Sequence, residues 1–141
     1  MNKTEKSKIT FFKADISTHE DNRRRIFGIV LPAEINFAAR GVKTINFSRS
    51  GVVVGNHYHT IESGRIEVYI GIGAPGVELF NFAYRDGGEI KERIIFNGDS
   101  CFIPPGCTHS FKVLSENASL WGFSNLEGYD PAHDEKDVIL T

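Results

Sequence analysis

Short apolar runs separated by glycine-, asparagine- and proline-bearing turns dominate this chain, and they restrict it to a β architecture. Candidate strands cover residues 9–13, 25–31, 42–48, 52–59, 66–70, 77–84, 89–96, 100–103, 109–114 and 119–123, and no long helical period competes with them. Gly73-Ala74-Pro75-Gly76, Asp86-Gly87-Gly88 and Asn97-Gly98-Asp99 fall between strands and supply the positive φ angles of tight hairpins. The pattern predicts an all-β sandwich or barrel. Within 77–84, Val77, Leu79, Asn81 and Ala83 alternate with Glu78, Phe80, Phe82 and Tyr84, so neither face is purely polar and both need cover. A subunit interface is one source of that cover.

Length and charge narrow the class. A chain of 141 residues suits one domain with one sizeable core. An apolar fraction of 40%, a charged fraction of 24% and a formal net charge of −2 argue against a nucleic-acid binder and against a disordered chain. The first thirteen residues are charged and polar, and nowhere do eighteen apolar residues run together, so neither a signal peptide nor a membrane partner is expected. Cys101 and Cys107 flank Pro104-Pro105-Gly106 at a spacing that matches neither a zinc ribbon nor a disulfide framework. A reducing cytoplasm is the expected setting.

Two histidine motifs carry the chemistry. From Gly51 the chain runs five residues to His57 and one more to His59. Residues i and i+2 of a strand project from one face about 7 Å apart, close enough for two imidazoles to converge on one ion. The second motif runs from Gly98 through five residues to Pro104-Pro105-Gly106, and two residues later to His109. A turn, a short strand, a second turn and a returning strand account for this order.

Together the segments resemble the paired motifs of the cupin superfamily, from about Gly51 to Val113. The resemblance implies a single-domain double-stranded β-helix, a jelly-roll-like barrel, over residues 9–141 with its core at about 42–125, preceded by a mobile tail over 1–8. It also implies that His57, His59 and His109 meet in the barrel mouth and bind one divalent transition metal. Three neutral imidazoles suit Zn, Fe, Ni or Cu better than Mg or Ca. Many metal-binding cupins place a glutamate five residues after the second histidine; here that position is Gly64. Glu62 and Glu67 are the nearby carboxylates, and Glu67 keeps the odd-numbered phase of the two histidines.

The tail "LWGFSNLEGYDPAHDEKDV" and the segment "GNHYH" are similar to cupin domains of sugar-nucleotide and capsular-polysaccharide enzymes. That resemblance implies an isomerase or epimerase acting on a small-molecule keto-sugar or sugar nucleotide, with Glu62, Glu67 or Tyr69 as the base that removes a proton α to the carbonyl. Histidines acting as acid and base without a metal, a three-histidine iron dioxygenase and a non-catalytic ligand-binding cupin are the alternatives. Cupins commonly pair through edge strands, so a homodimer is expected.

Overall fold

A computed structural model describes residues 8–141; the expected mobile tail lies outside the described residues except for Lys8. The described residues form twelve strands: β1 Thr10–Lys13, β2 Asp15–Glu20, β3 Arg25–Val30, β4 Gly41–Asn46, β5 Val53–His59, β6 Glu67–Ile72, β7 Phe80–Asp86, β8 Glu89–Ile95, β9 Asp99–Ile103, β10 His109–Val113, β11 Ser119–Ser124 and β12 Asp134–Lys136. Two five-stranded antiparallel sheets, ordered β1-β9-β6-β11-β4 and β12-β5-β10-β7-β8, enclose the core, and β2-β3 forms a separate hairpin. This is the cupin barrel that the two motifs imply. All ten strands read from the sequence form. The two additions, β2 and β12, are polar segments that carry no apolar alternation.

Two apolar layers hold the barrel. Its interior buries Phe47, Tyr69, Leu79, Phe80, Phe82, Phe111 and their neighbours. A second layer lies on the outer face of the first sheet, where Val68, Ile70, Phe102, Trp121 and Phe123 pack beneath Ile16 and Ile29 of the β2-β3 hairpin and beneath Phe37. Both faces of β6 are therefore buried, which explains its unbroken apolar run.

The outer face of the second sheet is covered in part, near β5 and β10, by the chain itself, while edge strand β8 stays largely exposed. Ala83 and Ser110 face outward yet have no exposed surface. The segment that follows β12 runs over this face. Asp137 accepts from Arg85 Nε and Thr108 Oγ1, both at 2.6 Å, and the backbone of Ile139 and Leu140 bonds the side chain of Asn56.

A β-bulge in β5 decides where the histidines point. Phe111 pairs with Val54 and His109 with His57, while Ser110 pairs with Gly55, so Asn56 is an extra residue in the ladder. Val54 and His57 thereby share the inward face at a spacing of three. Without the extra residue the strand's period of two would aim Asn56 and Tyr58 inward and both histidines outward. Gly55 makes the bulge possible: its φ is +96°, and a Cβ there would lie 2.8 Å from the His109 carbonyl oxygen. Gly55→Ala is accordingly expected to lower stability by about 1–3 kcal/mol in urea denaturation; an unchanged midpoint would show that the bulge relaxes freely.

Candidate active site in the barrel mouth

β5 delivers His57 and His59, and the turn Pro104-Pro105-Gly106 delivers His109 at the start of β10. The three rings meet: centroids of His57 lie 4.8 Å from those of both His59 and His109. One ligating nitrogen from each lies within 4.8 Å of the others. His57 and His59 line a cavity of about 360 Å³ together with Lys43, Arg65, Glu67, Tyr69, Gly122 and Tyr129, while His109 is buried and is not among its lining residues. That volume is in the range of small-molecule sites.

Each imidazole has a defined acceptor for one nitrogen, which fixes where its lone pair lies. His57 Nδ1 donates to Asp134, with the two carboxylate oxygens at 2.9 and 3.2 Å. His59 Nε2 donates to Glu67 Oε1 at 2.9 Å, and His109 Nδ1 donates to the Cys107 carbonyl at 3.0 Å. Carboxylates and carbonyls only accept, so the protons reside on these nitrogens, and in a neutral ring the lone pair falls on the other nitrogen: His57 Nε2, His59 Nδ1 or His109 Nε2. His109 Nε2 is buried without a hydrogen-bond partner.

Burial sorts the charges. His109, enclosed by the barrel, is pushed down to about 4 by desolvation, so it is neutral near pH 7. Desolvation also lowers His57, against the opposing pull of Asp134. Glu67 is buried as well, and that burial opposes ionisation. The His59 hydrogen bond and the neighbouring His109 and His59 outweigh it and hold Glu67 down to about 2. Tyr69 donates to the other oxygen of Glu67 at 3.0 Å; desolvation and that carboxylate raise its pKa, so it keeps its proton.

Of the three carboxyl and phenol candidates from the sequence, Glu67 and Tyr69 line the cavity. Glu62 is exposed on the short 3-10 turn Ile61–Ser63 and is not among the lining residues. Gly64, five residues after His59, closes that turn at φ 65°, a left-handed conformation that a glutamate adopts only under strain. The carboxylate arrives three residues later, as Glu67. Arg49 is exposed and lies outside the cavity lining.

Asp134, Lys43, Arg65 and Tyr129 complete the site and were not singled out from the sequence. Arg65 is buried and held by Ser124 Oγ at 2.9 Å and the Gly128 carbonyl at 2.6 Å. The Tyr129 phenol stands at the mouth, and its hydrogen bond to Asp134 raises its pKa. Lys43 could be found as the one charged residue in phase with Ile45 on β4. Asp134 gave no periodic signal, because β12 is three charged residues long.

No family profile and no curated protein sequence matches the chain. Solved structures do. QdtA, a sugar 3,4-ketoisomerase from Thermoanaerobacterium thermosaccharolyticum solved with TDP, superposes with a TM-score of 0.68 at 16% identity, covering 92% of this chain and 88% of that one. A histidine-to-asparagine variant of QdtA holding TDP-4-keto-6-deoxyglucose matches with a TM-score of 0.68 at 15% identity, over 92% and 87% of the two chains. ChmJ, a 3'-monoepimerase from Streptomyces bikiniensis solved with dTDP-quinovose, matches with a TM-score of 0.68 at 19% identity, over 91% and 68%. These likenesses establish the fold. Among the described residues no helix is long and apolar enough to cross a membrane.

The shifted groups set an acid limit on stability. His109 titrates near 4 in the folded chain against an ordinary 6.5, so the unfolded state binds more protons between those values and stability falls as pH drops through them. Glu67, near 2 against 4.5, adds a further loss below pH 4.5 with the same sign. Chemical denaturation at stepped pH is expected to show stability full above pH 6.5 and declining to pH 4; a flat profile would contradict the buried neutral imidazole.

Proposed function

We propose that this chain is a sugar-nucleotide isomerase or epimerase that moves protons beside a keto group. The observation that carries the reading is the His57–Asp134 pair at the cavity: a neutral imidazole, oriented through Nδ1, with its Nε2 lone pair left for a substrate proton. In a 3,4-ketoisomerisation of a 4-keto sugar, the C3–H bond breaks and an O4–H bond forms, giving an enediol. The O3–H bond then breaks and a C4–H bond forms. His57 is the general base for the first step, and Asp134 stabilises the imidazolium that results. Tyr129, protonated and within reach of Asp134, stands as the proton donor at the mouth.

Glu67 anchors rather than abstracts. An anionic carboxylate held near 2 is a poor base, and its two oxygens are taken by His59 and Tyr69. Lys43 and Arg65 give the cavity a positive wall that suits an anionic substrate such as a nucleoside diphosphate sugar. QdtA and ChmJ, whose fold this chain shares, are a sugar 3,4-ketoisomerase solved with TDP and a 3'-monoepimerase solved with dTDP-quinovose.

A metal-assisted version has a specific observation in its favour. The unpartnered Nε2 of buried His109, beside two further imidazole lone pairs, is a donor set suited to Zn, Fe, Ni or Cu. His57, His59 and His109 would hold the ion, which when bound would supply Lewis-acid polarisation of the keto oxygen. The cytoplasm suits buried cysteines of which neither is in a disulfide, and edge strand β8, with Ile90 half-exposed, suits pairing into a homodimer.

With TDP-4-keto-6-deoxyglucose as substrate, His57→Ala is expected to lower kcat by about 100- to 10,000-fold and Glu62→Gln to leave it unchanged. Equal turnover by His57→Ala and the parent chain would remove His57 from the reaction. Elemental analysis of protein purified without chelators, repeated on the His57→Ala, His59→Ala double variant, tests the metal: bound ion is expected in the parent alone, and equal content in both would dismiss the three-histidine site.

A further inference from the structure

Asn56 serves two functions in the fold, and the second reaches the active site. Its backbone, at φ +55°, is the extra residue of the bulge that turns His57 and His59 inward. Its side chain faces the opposite way and grips the segment that follows β12. Asn56 Oδ1 accepts from the amides of Ile139 at 3.0 Å and Leu140 at 3.1 Å, and Nδ2 donates to the Leu140 carbonyl at 2.9 Å. The Asn56 carbonyl accepts from the Asp137 amide at 2.8 Å. A single side chain thus satisfies three backbone groups eighty residues away in sequence.

That segment is continuous with the strand that supplies Asp134. β12 has only three residues, and its register pairs Asp134 with His59 and Lys136 with His57. So short a strand at a sheet edge gains little from its own ladder. Its hold on β5 is extended on one side by the Thr60 amide, which donates to the His133 carbonyl at 2.8 Å, and on the other by Asn56. The Asp137 carboxylate, bonded by Arg85 and Thr108, and the Thr141 carbonyl, which accepts from Lys112 Nζ at 3.2 Å, are further fasteners.

From this arrangement we infer that Asn56 is a positioning residue: it latches the segment 137–141 against β5 and so keeps Asp134 on His57. The residue that aims the imidazole also holds the strap that brings its carboxylate. Asparagine is fitted to both tasks, since it adopts a left-handed backbone more readily than most side chains and carries a donor and an acceptor together. The effect on turnover rests on the reading of His57 as the base; the latch itself does not.

Asn56→Gly separates the two tasks, because glycine is at ease at φ +55° and preserves the bulge while losing all three side-chain bonds. By amide hydrogen exchange on the full chain, protection at Ile139 and Leu140 is expected to fall about 30-fold, the equivalent of two ordinary hydrogen bonds. The loss is expected to spread into β12, with the β10 amides unchanged. Asn56→Asp, which keeps the acceptor, is expected to retain part of the protection. With TDP-4-keto-6-deoxyglucose, Asn56→Gly is expected to lower kcat more than it raises KM, deletion of residues 137–141 to do the same, and the two together to do no more than either. Unchanged exchange at Ile139 and Leu140, or losses that add in the combined variant, would overturn the latch. A parent chain that turns over no keto-sugar nucleotide would instead refute the proposed function, and the exchange pattern would still decide whether Asn56 holds the segment.

Discussion

One extra residue in β5 is the constraint on which the site depends. A strand repeats every two residues, so Val54, which packs in the core, and His57, which faces the cavity, cannot share a face unless the ladder slips by one. The Gly55–Asn56 bulge supplies that slip. It lets one short strand serve an apolar barrel interior at its start and a polar cavity at its end, without a break in the sheet. The pairing of His57 with His109 across β5 and β10 follows from it, and so does the meeting of three rings from two distant parts of the chain.

Most of the buried polar groups of the site have a partner suited to their charge state, and His109 Nε2 is the exception. Buried His109 stays neutral and gives its one proton to the Cys107 carbonyl. Glu67 stays ionised and takes two donors, His59 and Tyr69, on its two oxygens. His57 differs from the other two rings in being partly open to the cavity, with its carboxylate partner drawn from the far end of the chain. A base that must meet a substrate needs this mixture of fixed orientation and access. A metal-ligand set needs similar fixed rings, which is why one geometry supports both readings of the site.

The legible parts of the sequence were those with a period or a fixed spacing. Ten strands followed from apolar runs and turn residues, and the three histidines followed from two spacings that make sense together only when both strands reach one cavity. Glu67 was found by its phase relative to the histidines, and Gly64 explains itself once its left-handed turn is seen. The bulge was not legible, because "VVVGNHYH" reads as plain alternation until pairing with β10 exposes the extra residue. Asp134 was hidden for another reason. Its strand is three charged residues long and owes its place to Asn56 and to the Thr60 amide rather than to any pattern of its own. The mixed alternation of residues 77–84 resolves into inward Phe80, Phe82 and Tyr84 and outward Asn81, Ala83 and Arg85, of which Arg85 meets Asp137 of the segment beyond β12.

The proposed reaction requires a proton to leave carbon under the action of a neutral imidazole in this cavity. Incubating the parent chain with TDP-4-keto-6-deoxyglucose in D2O and following the sugar protons by NMR observes that event before any net conversion. We expect the C3 proton signal to disappear as deuterium enters from solvent. A C3 signal that keeps its full intensity, with the nucleotide sugar shown to be bound, would contradict the assignment.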